Sequence, residues 1–248
     1  MKLHRRIDRR RFIAGAAGGT SALLLGGCHR VLDSAESLTR RVQEAVAPRS
    51  AVSREYTEAD LSPHFKSNGT HDPANPEYQA LARDGFKDWR LALGGLVDRP
   101  MQLSLAEIHA MPSVTQITRQ DCVEGWSCIG KWTGVPLGAL LAPLGVQPKA
   151  RYVMFYCFDT VEGASEPYYE SIDIAEAAHP QTILAYAMND RTLPIPYGAP
   201  LRLRLGNQLG YKMAKYLRGI ELVESFSLIR GGSGGFYEDN GYEWYAGI

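Results

Sequence analysis

Between Asp88 and Leu228 the chain never keeps one pattern for long. Short runs of alternating or apolar residues are cut repeatedly by Gly, Pro and Asn-Asp turns. Runs of this kind read as short strands. Trp89-Arg90-Leu91-Ala92-Leu93 alternates ahead of Gly94-Gly95, and Val114–Arg119 alternates again. Tyr152–Phe158 is strongly apolar, and Ile183–Met188 and Pro200–Leu205 lie on either side of the Asn189-Asp190-Arg191 turn. Gly219–Leu228 gives a last strand. Three short helices are predicted between them: Leu103–Ala110 capped by Ser104, Pro136–Leu141, and Ile172–Ala178 beginning at Ser171. The pattern predicts an α+β fold with mixed sheets and short helices.

The ends of the chain read differently. Arg5-Arg6 and Arg9-Arg10-Arg11-Phe12-Ile13 precede a short run rich in Ala, Gly and Leu. A basic segment followed by a short apolar one is an export signal, too short to span a bilayer. The Arg-Arg-x-Phe-Ile order matches the twin-arginine type, which predicts a periplasmic location. Leu25-Gly26-Gly27-Cys28 resembles a lipoprotein signal with Cys28 lipidated, and ordinary cleavage nearby is the alternative. Residues 1–28 are therefore read as signal and 29–56 as linker, with a helix predicted over Ser34–Val46. Residues 57–230 are read as the folded domain. The Gly231-Gly232-Ser233-Gly234-Gly235 run, predicted to be flexible, opens an aromatic, acidic tail, 231–248.

Lys plus Arg equals Asp plus Glu, 27 each. Several of the arginines fall in the signal, so the mature chain is mildly acidic. That argues against general nucleic-acid binding, which requires a basic excess or patch.

The segment with the most chemical content is Gln120-Asp121-Cys122-Val123-Glu124-Gly125-Trp126-Ser127. It sets one thiol among acidic, aromatic and glycine neighbours, surroundings that suit a metal ligand better than a core cysteine. Cys128 lies six positions further on, a spacing that fits no zinc ribbon, thioredoxin motif or haem attachment. Metal coordination deprotonates a thiol outright. Cys128 and Cys157 are left to pair or to sit free. A second segment, Tyr197-Gly198-Ala199-Pro200-Leu201-Arg202 with Gly210-Tyr211-Lys212-Met213-Ala214-Lys215, brings Arg202, Lys212 and Lys215 close enough in sequence to converge on one anion. An Arg fork suits phosphate, and Gly210 allows close backbone approach. A solvated basic face is the alternative. His71, His109 and His179 show no metal-site spacing, and the nicotinamide, Walker and serine-hydrolase fingerprints are missing.

Together these two segments resemble the sulfite-oxidase-fold molybdopterin-dependent oxidoreductases, and in particular the catalytic subunits of bacterial periplasmic methionine sulfoxide reductases. The resemblance runs from about Thr57 to Ser227. It implies a sulfite-oxidase-type molybdopterin-binding fold, with molybdenum-molybdopterin as cofactor and Cys122 as metal ligand and catalytic residue. It also implies that Gly210, Tyr211, Lys212, Met213, Ala214, Lys215 and Arg202 bind the cofactor. His64-Phe65-Lys66-Ser67-Asn68-Gly69-Thr70 falls where that family carries Asn-Asn-Phe-Tyr-Glu-Phe-Gly-Thr. His64, Lys66, Ser67 and Asn68 are thereby candidates for cofactor contact, in a pocket that differs from the family's. Cys157 stands in place of a Thr and Tyr197 in place of an Asn, both against the cofactor. Asp159, Glu162 and Glu166 flank that strand end and are read as the pocket mouth.

The implied activity is two-electron oxygen-atom transfer, reducing a sulfoxide or N-oxide on a small molecule or protein. Electrons are expected from a separate membrane cytochrome b, since no haem or flavin motif lies in this chain. Sulfite oxidation is the runner-up within the fold. The acidic, aromatic Val123–Trp126 stretch suits a neutral or cationic substrate better than a dianion. Two alternatives from other classes are a non-catalytic, lipid-tethered periplasmic binding protein and a thiol redox protein using Cys128 and Cys157.

Overall fold

Alternating burial along Arg90–Gly95 turns Leu91 and Leu93 inward and leaves Arg90 and Ala92 outward, and this strand (β1) seeds the first of two sheets. The computed structural model describes residues 52–248; the expected signal, Cys28 and the Ser34–Val46 helix lie outside the described residues. Val52–Tyr56, part of the span read as linker, is tied to the domain. Tyr56 N–H donates to Ile117 C=O at 2.9 Å, and Ser53 N–H donates to Gln181 Oε1 at 2.7 Å.

The elements follow in order: α1 (Pro76–Arg83), β1, β2 (Met101–Ser104), α2 (Leu105–Ala110), β3 (Val114–Asp121), β4 (Ser127–Pro136), α3 (Leu137–Leu141), β5 (Tyr152–Thr160), β6 (Pro167–Asp173), α4 (Ile174–Ala177), β7 (Ile183–Met188), β8 (Arg191–Thr192), β9 (Arg202–Arg204) and β10 (Leu217–Val223). The first sheet runs β2-β1-β10-β5-β6, with β1 and β10 parallel and its other pairs antiparallel. The second runs β3-β4-β7-β8, with β9 also paired to β7. The expected mixed-sheet α+β architecture is what forms.

Local chemistry sets the element ends. At α2, Ser104 Oγ accepts from Glu107 N–H while Glu107 Oε2 accepts from Ser104 N–H, a reciprocal capping box. At α4 the expected cap at Ser171 is two positions early. Ile172 stays in β6, paired with Val153, and Asp173 caps the helix by accepting from Glu176 N–H at 2.7 Å. Ser171 is unavailable as a cap because its hydroxyl donates to Gly234 C=O. Gly134 sits where β4 meets β7; a Cβ there would lie 2.1 Å from Leu184 O, so any larger residue would push the strands apart.

The main core unites both sheets: Trp89, Leu91, Phe155, Leu203, Leu217 and Leu222 are each fully buried within it. Burial of each such side chain is worth about 2–3 kcal/mol before entropy is counted. A smaller cluster of Phe65, Cys128, Trp132, Ile183, Ala185, Met188 and Leu193 packs beneath β4 and β7. The glycine run expected to be flexible is instead packed, with Gly234 and Gly235 buried, and the tail beyond it is built into the molecule. Phe236 N–H donates to Tyr169 C=O at 3.0 Å, Tyr169 bonds Asp239, and Tyr245 and Ala246 are buried. Among the described residues no helix is long and apolar enough to cross a membrane.

Candidate active site

Cys122 opens the β3–β4 hairpin. Its C=O accepts from Gly125 N–H at 3.0 Å and its N–H donates to Trp126 C=O at 2.9 Å. Gly125 takes φ +85°, the left-handed position that closes such hairpins and that glycine adopts without strain. The base is clamped by Asp121, which bonds Ser127 Oγ and accepts from Arg119 Nε at 2.9 Å. Cys122 is 8% exposed, and burial is the main cause pushing its thiol pKa up. Glu124 also raises it, while the N–H groups of Glu124 and Val123 favour the thiolate.

The thiol borders a cavity of about 170 Å³. Of the residues picked from sequence, Asn68, Gly210, Tyr211, Met213 and Lys215 line it with Cys122. Asp159, Glu124 and three tyrosines (Tyr168, Tyr237 and Tyr242) complete much of the wall. Lys215 Nζ donates to Asn68 C=O at 2.7 Å, Thr70 C=O at 2.5 Å and Pro196 C=O at 3.1 Å, fixing the loop that carries Asn68. Burial and nearby Arg202 bring the Lys215 pKa down to about 7, against the pull of Asp159. Burial raises Asp159 to about 6, opposed by a hydrogen bond with Thr70 and by Lys215. Asp159 Oδ1 has no hydrogen-bond partner among the described residues.

The three cations expected on one anion do not converge. Lys212 Nζ is buried between Glu170 and Glu238, 2.5 Å from each, and their charges hold its pKa up against burial. Arg202 and Lys215 do come together beside Gly198, where an added Cβ would lie 3.1 and 3.0 Å from theirs. Arg202 Nη1 donates to Tyr197 C=O at 2.9 Å and its guanidinium lies over Trp132. Its partner in the site is Arg204, which sequence reasoning missed. In a strand, residues two apart share a face, so Arg202-Leu203-Arg204 carried the signal. Arg204 Nη1 donates to Gln120 Oε1 at 2.6 Å, and Gln120 Nε2 donates to Asn68 Oδ1 at 3.2 Å, which links Arg204 to the cavity wall.

The other predicted residues lie behind or beside the cavity. Tyr197 OH donates to Phe65 C=O at 2.7 Å. Lys66 N–H donates to Cys128 Sγ at 3.4 Å, and Cys128 Sγ donates to His64 C=O at 3.7 Å, so Cys128 anchors this segment. Ser67 Oγ donates to Pro196 C=O, and the His64 and Lys66 side chains are exposed. Ala214 is buried in the main core. Cys157 lines a different cleft, of about 650 Å³, with Tyr168 as the partition common to both. Cys122, Cys128 and Cys157 are all free thiols.

These residues fit a molybdenum-pterin cofactor. Arg202 and Arg204 are fully buried, face no carboxylate among the described residues, and leave Arg204 Nε without a hydrogen-bond partner. Burial lowers both pKa values, Arg202 to about 10. Two desolvated guanidinium groups without a counter-charge suit a bound phosphate. No group of three or more His, Cys, Asp or Glu side chains forms a metal site among the described residues. Cys122 is the cysteine that lines this cavity, and its thiolate could complete a coordination sphere supplied mainly by the cofactor.

Residues 78–228 match the oxidoreductase molybdopterin binding domain, and the chain belongs to that family. Its cofactor is molybdenum-molybdopterin, and its fold is the sulfite-oxidase type. Over 159 residues the chain is 44% identical to a provisionally named protein-methionine-sulfoxide reductase subunit, YedZ1, of Azospira oryzae; this covers 64% of the chain and 56% of the relative. It is 38% identical to the protein-methionine-sulfoxide reductase catalytic subunit MsrP of Xanthomonas axonopodis pv. citri, over 55% of the chain and 45% of that protein. The match therefore spans about half the length of these relatives. Among solved structures, the sulfane dehydrogenase SoxCD of Paracoccus pantotrophus superposes with a TM-score of 0.51 at 21% identity, covering 56% of this chain and 39% of that one.

Proposed function

We propose that this chain is the catalytic part of an exported oxidoreductase that reduces a sulfoxide or N-oxide. The observation that carries the reading is the Cys122 thiol facing a small cavity whose wall connects, through Asn68 and Gln120, to the uncompensated Arg204. The relatives named protein-methionine-sulfoxide reductases favour a sulfoxide.

When bound, molybdenum-molybdopterin supplies the two-electron oxygen-atom transfer. The protein's part is to hold and to enclose. Cys122 contributes a thiolate, and Arg202 and Arg204 neutralise the phosphate. Tyr211, Tyr237 and Tyr242 restrict water at the mouth. Reducing a sulfoxide breaks its S–O bond, consumes two electrons and two protons, and releases a sulfide and water. Asp159 and Lys215, with pKa values near 6 and 7, can hold protons at Oδ1 and Nζ beside the reacting centre. Electrons arrive singly from a separate membrane cytochrome b.

The test is metal analysis and electron paramagnetic resonance of wild type beside Cys122→Ser, with turnover of methionine sulfoxide and of sulfite. Stoichiometric molybdenum, a Mo(V) signal altered by the substitution and turnover of the sulfoxide support the reading. Faster turnover of sulfite would replace it with sulfite oxidation, and absence of molybdenum would favour a binding protein. Export to the periplasm by the twin-arginine route is part of the same proposal. Arg9→Lys with Arg10→Lys should leave the protein in the cytoplasm.

A further inference from the structure

The C-terminal tail contributes to the Cys122 cavity from outside the stretch that defines the family. The family match ends at residue 228, yet Tyr237 and Tyr242 line the cavity. Their rings pack on each other at 5.1 Å and on Tyr211 at 6.0 and 5.2 Å, forming one aromatic wall. The tail is held in this place by the Glu238–Lys212 pair and by Asp239, which accepts from the Tyr169 hydroxyl of β6.

Tyr237, Tyr242 and Val161 also line a second, open cleft of about 660 Å³, so the two spaces adjoin across the tyrosines. The outer cleft carries Glu162, Glu166 and Asp239 against one cation, Arg230. Arg230 is already committed: it lies over Tyr169 and donates to Pro167 C=O at 2.5 Å. Glu162 and Glu166 are exposed and have no ion-pair partner among the described residues. In the inner cavity wall, Asp159 is 5% exposed and its Oδ1 is unpartnered among the described residues.

We infer that the tail is the specificity element of this site and that the adjoining inner cavity and outer cleft together select a peptide carrying positive charge beside the oxidised residue. The inference rests on the reading of the Cys122 cavity as the reaction site. A side chain of modest size enters the inner cavity, its flanking residues lie in the outer cleft, and a Lys or Arg there meets Glu162 and Glu166 and the tyrosine faces. Ring faces attract cations, and a carboxylate-lined cleft raises the local concentration of positive ligands.

The test is fluorescence anisotropy with the holoenzyme and two labelled peptides, each with one methionine sulfoxide, flanked by Lys in one and by Glu in the other. The Lys-flanked peptide should bind about tenfold more tightly at low salt, with the gap narrowing at high salt. In Glu162→Gln with Glu166→Gln, both exposed and safe for folding, the preference should shrink to about twofold. Tyr242→Ala should weaken both peptides with molybdenum content retained. Equal affinities in wild type, or a preference that survives the double substitution, would overturn the inference. Turnover separates it from the underlying reading. Charge-selective binding with no turnover of either peptide supports the cleft and sinks sulfoxide reduction. Equal binding with good turnover does the reverse.

Discussion

Lys212 Nζ lies 2.5 Å from Glu238 Oε1, joining the loop ahead of Lys215 to the C-terminal tail through a pair shielded from water. Glu170 completes the group from β6. Lys212→Met would leave two buried carboxylates facing each other without a cation. The expected cost is about 3–5 kcal/mol, unless one of them takes up a proton. Calorimetry should show a fall of about 10 °C in Tm for a chain of this size, and limited proteolysis should cut first after residue 230. Glu238→Gln, which keeps a neutral acceptor, should be milder on both measures.

Arg204 makes a prediction of two opposite signs. Without cofactor its buried charge is a burden, so Arg204→Met should stabilise cofactor-free protein, by about 1–3 kcal/mol in urea titration. The same substitution removes a counter-charge for phosphate, so molybdenum recovered with the purified enzyme should fall. A stability loss in the cofactor-free protein would show that Arg204 acts through Gln120 and Thr118 instead.

Asp159 sets a pH dependence. Its folded pKa of about 6 stands above the ordinary 3.8, because burial disfavours the carboxylate more than Thr70 and Lys215 support it. The folded state therefore holds the proton more tightly than the unfolded chain. The associated stability is complete below 3.8 and is lost as pH rises through 6. Asp159→Asn should flatten that part of the profile, raising stability at pH 7 relative to pH 4 by about 2 kcal/mol in cofactor-free protein. Urea titrations at intervals across this range would show it. Lys215, deprived of a carboxylate neighbour, should in turn lose its proton more readily.

Cys122→Ser keeps the hairpin, since the turn is closed by backbone groups and by Gly125. Its Tm without cofactor should stay within about 3 °C of wild type. Sulfoxide turnover should fall at least about 100-fold, as expected when a metal loses its anchoring ligand.

Much of this was legible in the sequence. Ile183–Met188 forms the expected strand, and the Ser104 cap holds α2, because alternation and capping are local properties. Cys122 and Lys215 were found from their neighbours and do share a cavity. What was missed depends on distant partners. Lys212 reads like Lys215 in sequence, but Glu170 and Glu238, 42 and 26 positions away, claim it. Ser171 looked like a helix cap until Gly234 engaged its hydroxyl. The glycine run looked mobile because glycine imposes no local order. Gly234 and Gly235 are buried beside Trp244 and Glu170, where a Cβ would meet those groups at 2.7 Å. There the small residue serves packing.

The parallel pairing of β1 with β10 has a consequence for the life of the chain. Leu93 sits opposite Ile220, and β10 occupies the middle of its sheet although it comes last in chain order of the strands among the described residues. Until that strand leaves the ribosome, β1 and β5 lack the neighbour that joins them. Closure of this sheet must therefore wait for a strand far along the chain from β1, a sequence separation that slows the search. The Arg202–Lys215 stretch comes just ahead of β10, and Tyr237 and Tyr242 follow it, so the cavity is finished only after this strand and the residues beyond it are in place. Loading of a cofactor is then an event that follows closure of the sheet.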